Sequence, residues 1–92
     1  MIRTFKHKGL REFFEMNSKR GILPELSTRL RDRLDVIDAA NSLEDIALPH
    51  FGLHELKGNR VGTWAVKVNK NWRITFTFAA GDATDVNFED YH

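Results

Sequence analysis

The chain closes on an acid, a phenol and an imidazole in a row, Asp90-Tyr91-His92. A second polar cluster, His54-Glu55-Leu56-Lys57-Gly58-Asn59-Arg60, lies mid-chain, and Arg73 interrupts a stretch that is otherwise aromatic and apolar. Imidazole exchanges protons close to neutral pH, and lysine and arginine neutralise phosphate oxygens. Brought together, these groups meet the two requirements for cleaving an RNA phosphodiester: proton transfer at the reacting oxygens, and stabilisation of the charge that gathers on phosphorus. Taken singly, none carries that meaning. An arginine on a strand commonly covers its neighbours with an aliphatic stem, a lone histidine is more often structural or exposed, and Lys57-Gly58-Asn59-Arg60 has the makings of an ordinary polar turn. The functional reading rests on their combination, and so on the elements that position them.

The pattern predicts an α+β fold in the order β-α-α-β-β-β-β, an antiparallel-dominated sheet with two helices packed on one face. An opening strand over about residues 2–6 precedes Leu10, Phe13 and Phe14, whose i, i+3, i+4 spacing marks a short amphipathic helix. Gly21 and Pro24 punctuate the connection, with Pro24 suited to the first turn of a second helix. Leu26, Leu30, Leu34 and Ile37 form the apolar stripe of that helix. Residues 41–52, with Pro49 and Gly52, read as a loop.

From Leu53 onward the period becomes two. Trp64, Val66 and Val68 alternate with Ala65 and Lys67; after a turn at Asn69-Lys70-Asn71, Trp72, Ile74, Phe76 and Phe78 alternate with Arg73, Thr75 and Thr77. Ala80-Gly81-Asp82 turns the chain again, and Val86 and Phe88 continue the apolar face to an expected strand end at Phe88. Parity then sets Arg73, Thr75, Thr77, Lys67, Ala65, Asp85 and Asn87 on the opposite face. His54 shares parity with apolar Leu56, so only a strand end or bulge frees it. Parity does not place Asp90, Tyr91 or His92.

Ninety-two residues, 41% of them hydrophobic with seven Phe and two Trp, suit one domain spanning 1–92 with a modest core. The absence of cysteine excludes disulfides and thiolate-bound zinc and is compatible with a reducing cytoplasm. No apolar run approaches the ~20 residues that span a bilayer, and the first residues lack the apolar core of a signal peptide, so a soluble, cytoplasmic protein without membrane association is expected. Fourteen Lys+Arg oppose thirteen Asp+Glu, a net charge of +1 that does not by itself announce a nucleic-acid binder.

Three strings, in order and spacing, resemble HigB toxins of the RelE/ParE superfamily: Leu53-His54-Glu55-Leu56-Lys57-Gly58-Asn59-Arg60, Asn69-Lys70-Asn71-Trp72-Arg73-Ile74-Thr75-Phe76, and Glu89-Asp90-Tyr91-His92. The opening Phe5-Lys6-His7-Lys8-Gly9-Leu10 and the length extend the resemblance over essentially the whole chain. It implies a type II toxin that enters the aminoacyl site of the 70S ribosome and cuts messenger RNA within a codon. The implied chemistry is metal-independent and cofactor-free, the ribose 2′-hydroxyl attacking the adjacent phosphate. His54 and His92 would transfer protons, with Asp90 and Tyr91 beside them; Lys57 and Arg73 would clamp the scissile phosphate, and Asn71 would hydrogen-bond a base edge. The implied partners are a HigA-like helix-turn-helix antitoxin, the ribosome with its messenger, and operator DNA reached only through the antitoxin complex. A low net charge suits an enzyme whose substrate is positioned by the ribosome.

Two other readings compete. ParE-like toxins share the architecture but inhibit DNA gyrase by binding, a task that does not require His54, Lys57, Arg73 and the Asp90-Tyr91-His92 end as a set. A metal nuclease would use His50 and His54 at helical spacing, or Asp82, Asp85, Glu89 and Asp90. Against it, Pro49 and Gly52 argue that no helix joins the two histidines.

Overall fold

The computed structural model describes residues 1–91. Helix α1 (Lys8–Met16) buries Leu10 and Phe13 and half-buries Phe14, the stripe expected from the spacing. Its first turn is capped by His7, whose Nδ1 accepts the Leu10 N–H at 2.9 Å. It stops at Asn17, which turns left-handed (φ 56°) and returns its N–H to the Phe13 carbonyl. A 3₁₀ turn, Pro24–Leu26, with the proline at its start, leads into α2 (Ser27–Ala39). Leu26, Leu30, Leu34 and Ile37 are all buried against the sheet. Arg31 ties the helices together: its Nη2 donates to the Phe13 carbonyl at 2.7 Å, and its guanidinium lies 4.5 Å from the Phe13 ring centroid.

The sheet is antiparallel in the order β1 (His54–Glu55), β2 (Thr63–Lys67), β3 (Trp72–Ala79), β4 (Asp82–Asp90). Its inner face meets the helices through Val66, Val68, Ile74, Phe76, Ala83, Val86 and Phe88. The expected loop at 41–52 contributes to the same core: a 3₁₀ turn at Leu43–Ile46 buries Ile46, and Phe51 is fully enclosed. Side chains of this size contribute about 1.5–3 kcal/mol each when removed from water.

Two expectations are corrected. The opening segment is not a regular strand; it touches β4 through two parallel bridges, Ile2 to Ala83 and Phe5 to Val86. The reason lies in β4, where Asp85 adopts φ 54° and Asp85 and Val86 together oppose the single Phe76 of β3. That bulge breaks the two-residue repeat that a continuous ladder requires. In its place the Asp85 N–H donates to Thr4 Oγ1 at 2.8 Å. The last strand also runs beyond Phe88: Glu89 pairs with Arg73 and Asp90 with Trp72, so the ladder reaches Asp90.

Where α1 begins, Gly9 faces Gly21 of the α1–α2 connection across a very short gap. A Cβ on Gly21 would lie 2.8 Å from Gly9 Cα, and one on Gly9 would lie 2.9 Å from Gly21 Cα. Both neighbours are backbone and cannot rotate away. Gly21→Ala is therefore expected to cost about 1–3 kcal/mol, read as a lower midpoint of urea unfolding with an unchanged slope. An unaltered midpoint would mean that the connection moves aside freely.

Candidate active site

The outer face of the sheet is organised in rows of paired residues. Lys67, Arg73 and Glu89 form one row across β2, β3 and β4. Ala65, Thr75 and Asn87 form the next, which His54 of β1 extends. Thr63, Thr77 and Thr84 form the third. Cross-strand pairing thus puts His54 on the polar face, opposite Ala65; Leu56 continues that register, its N–H bonded to the Thr63 carbonyl, and is buried there outside the core cluster between sheet and helices.

Between β1 and β2 the chain arches over this face. Lys57 precedes a 3₁₀ turn, Gly58–Arg60, and Arg60 reaches across to β4. There both Nη atoms of Arg60 grip Glu89, at 2.9 and 2.7 Å. The same carboxylate accepts from Thr75 Oγ1 at 2.7 Å, from Asn87 Nδ2 at 3.3 Å and from Arg73 Nη2 at 3.4 Å. Donors from the arch and from two strands thus converge on one side chain, which is 18% exposed. Arg60, first among them, holds the Glu89 carboxyl down at about 2, against an ordinary 4.5, and Thr75 and Arg73 act in the same direction. Beneath the arch, Thr75 is buried although it lies on the outer face. A small concavity of about 220 Å³ opens beside it, lined by Lys6, Asn59, Arg60, Thr63, Thr77 and Asp85 among others.

Arg73 is held on two sides. Its Nη2 meets Glu89, and its guanidinium lies 5.2 Å from the Tyr91 ring centroid. Its Nε is buried with no hydrogen-bond partner among the described residues. An unpaired buried donor on a cationic group costs free energy. The Tyr91 N–H donates to the Asn71 carbonyl at 3.0 Å, which fixes the phenol and the β2–β3 turn beside Arg73. His54 Nδ1 lies 3.0 Å from the Gly52 carbonyl. A carbonyl can only accept, so this bond calls for a proton on Nδ1; in the neutral ring the lone pair is then on Nε2.

The site residues named from sequence fall as follows. Arg73, Tyr91 and Asn71 form one contiguous cluster, and His54 stands in the adjoining row two strands away, roughly 10 Å at ~4.8 Å per strand. Lys57 is exposed at the foot of the arch, without a side-chain partner among the described residues. Asp90 sits at the exposed end of β4, opposite Trp72. His92 lies outside the described residues. His50 and His54 are not on one helix: His50 follows Pro49 in a turn and lines a concavity on the helix side, whereas His54 opens β1. Among the described residues no three His, Asp or Glu side chains gather as a metal centre would require.

Glu89, Arg60 and Thr75 were not named from sequence as part of the site. Carrying strand parity one residue past Phe88 would have set Glu89 beside Arg73. Nothing local would have shown that Arg60 reaches it. The Arg60–Glu89 contact has a measurable pH signature. Because the folded carboxyl titrates far below 4.5, its stabilisation is complete above pH 4.5 and disappears as pH falls towards 2. Glu89→Gln is expected to lower unfolding free energy by about 1–3 kcal/mol at neutral pH. The gap to the unaltered protein should close over that acid range; a gap independent of pH would contradict the role given to the carboxylate.

Comparisons with known proteins identify the family. Residues 3–92 match the family described as the RelE-like toxin of the type II toxin–antitoxin system HigB. The chain is 46% identical over 92 residues to Endoribonuclease HigB of Proteus vulgaris, covering 100% of both chains. It is 29% identical over 93 residues to Toxin HigB-1 of Vibrio cholerae serotype O1, covering 99% of this chain and 98% of that one. With a family match over nearly its whole length and a full-length relative at this identity, the chain belongs to the HigB-like toxins of type II toxin–antitoxin systems.

Proposed function

We propose that this toxin is an endoribonuclease that cuts messenger RNA in the aminoacyl site of the 70S ribosome, and that the outer face of its sheet is the active site. The observation that carries the reading is Arg73: a cation held by Glu89 and Tyr91, with a buried Nε that has no partner among the described residues. A phosphodiester laid across this face would offer a non-bridging oxygen to the guanidinium, whose side chain is 17% exposed. The rigid placement of the guanidinium makes it an electrostatic stabiliser that needs little reorganisation as charge builds on phosphorus. Lys57, free to swing from the foot of the arch, supplies a second cation to the same phosphate.

Proton transfer follows from the orientation of His54. With Nδ1–H committed to Gly52, Nε2 is the atom available to take the proton of the attacking 2′-hydroxyl, which makes His54 the general base. The 2′-oxygen then bonds to phosphorus, and the bond to the 5′-oxygen of the next nucleotide breaks. That leaving oxygen takes its proton from the Asp90-Tyr91-His92 end, the role assigned to His92. Asn71, on the turn beside Tyr91, is exposed and in position to pair with a base edge. No step in this sequence calls for a metal. A HigA-like helix-turn-helix antitoxin is the partner proposed to neutralise the toxin and carry the complex to operator DNA. The cytoplasm, where translating ribosomes are, is the proposed location; no helix of the described chain is long and apolar enough to cross a membrane.

The test is cleavage of a defined messenger programmed into purified ribosomes. Cuts within the aminoacyl-site codon are expected, and none on the same messenger without ribosomes. His54→Ala and His92→Ala should each slow the cut by roughly 10²–10⁴-fold, and Arg73→Lys should be impaired because a point charge does not replace a planar fork. A folded protein whose His54→Ala and His92→Ala variants keep full toxicity would refute the nuclease reading in favour of inhibition by binding, as in a gyrase inhibitor.

A further inference from the structure

Glu89 is a carboxylate on a face read as receiving phosphate, and its charge repels such a ligand. Its surroundings show what it does there instead. Oε2 accepts from Arg60 Nη2 at 2.7 Å, from Thr75 Oγ1 at 2.7 Å and from Asn87 Nδ2 at 3.3 Å. Oε1 accepts from Arg60 Nη1 at 2.9 Å and from Arg73 Nη2 at 3.4 Å. An ionised carboxylate offers about four lone-pair sites, so these five contacts from the described residues leave none for a ligand. The side chain is 18% exposed and stays charged at neutral pH, Arg60 above all holding its carboxyl at about 2. Whatever Glu89 contributes to chemistry must pass through the groups it holds.

Those contacts are not equivalent. The ones from Arg60 and Thr75 are short and anchor the carboxylate between the arch and β3, whereas the one from Arg73 is the longest of the set. Glu89 is therefore fixed by its other partners and presents Oε1 to Arg73. The same guanidinium lies 5.2 Å from the Tyr91 ring centroid. A charged acceptor at one nitrogen and an aromatic ring beside the central carbon together set the direction in which the planar fork points. That direction matters because a guanidinium matches phosphate oxygens as an oriented fork, where an ammonium acts as a point charge.

We infer that Glu89 is a positioning residue of the cleavage reaction, one that touches no substrate and acts by aiming the Arg73 guanidinium; the inference rests on the ribonuclease reading. The contrasting role is that of an anchor for the fold alone, and the two differ in what a folded variant does. Glu89→Gln keeps the size of the side chain but puts an NH2 in place of one oxygen, so one of the two sets of donors loses its acceptor. Cleavage is followed on ribosomes carrying a defined messenger, with toxin in excess, at a temperature where urea unfolding shows the variant to be folded. The rate at saturation and the half-saturating toxin concentration are read separately. The saturating rate is expected to fall about 10²-fold, the cost of a misplaced catalytic group, while the half-saturating concentration stays within about twofold, since remote contacts set binding.

Action through Arg73 is tested by repeating the substitution in an Arg73→Ala background. There Glu89→Gln should lower the rate by less than about threefold, because the group it aims is gone. Should Glu89→Gln fail to fold, Thr75→Val takes its place in both backgrounds. It removes one anchor of the carboxylate without changing charge, and an effect of about fivefold is expected, the equivalent of one hydrogen bond. An unchanged saturating rate in the folded variant would overturn the inference and leave Glu89 an anchor only. So would a loss confined to the half-saturating concentration, or one equally large with and without Arg73. Messenger left intact by the unaltered protein would instead refute the ribonuclease reading, and the inference with it.

Discussion

The outer face of this small sheet depends on one carboxylate. Glu89 accepts from Arg60, Arg73, Thr75 and Asn87, and through Arg60 it draws the β1–β2 connection across the strands. The feet of the arch are pinned where the Leu56 N–H meets the Thr63 carbonyl and the Gly62 N–H meets the Glu55 carboxylate, and Arg60 ties its crown, a single 3₁₀ turn with no buried residue, to Glu89. The arch is what covers Thr75 and holds the backbone that carries Lys57. The pair is partly dry: Glu89 is 18% and Arg60 39% exposed. A bidentate guanidinium–carboxylate contact in such surroundings is worth more than an open surface ion pair, because solvent screens it less.

The same carboxylate settles the state of Arg73. A guanidinium that had to find its direction during a reaction would spend part of its electrostatic effect on reorganisation; one already gripped by Glu89 and packed on Tyr91 does not. The arrangement leaves Nε as the buried donor without a partner among the described residues. Glu89 thereby orders the cations of this face without neutralising them, since two arginines share one negative charge.

The helical half of the molecule serves this face indirectly. α2 supplies the hydrophobic floor on which the inner side of the sheet rests, through Leu30, Leu34 and Ile37. From the same helix, Arg33 holds the Lys67 carbonyl, and Arg29 the Val68 carbonyl, steadying the end of β2 just before the turn that carries Asn71. On the other edge, the bulge at Asp85 shortens the contact between β4 and the opening segment and brings Asp85 beside Thr77 at the rim of the small concavity.

Sequence by itself determined the layers. The i, i+3, i+4 and i, i+4 spacings set the faces of both helices, and two-residue alternation separated Trp72, Ile74 and Phe76 from Arg73, Thr75 and Thr77, because those periods follow from backbone geometry alone. The strings around His54, Arg73 and Asp90 carried the family. Tertiary structure decided what no local rule contains. It reduced the opening strand to two bridges, since a bulge elsewhere in the chain disrupts the ladder it would join. It placed His54 on the polar face by pairing it with Ala65, and Leu56, which shares its parity, is buried there outside the core cluster between sheet and helices. And it brought Arg60 to Glu89, 29 residues apart, a contact fixed by the path of an arch over a sheet that no stretch of local sequence encodes.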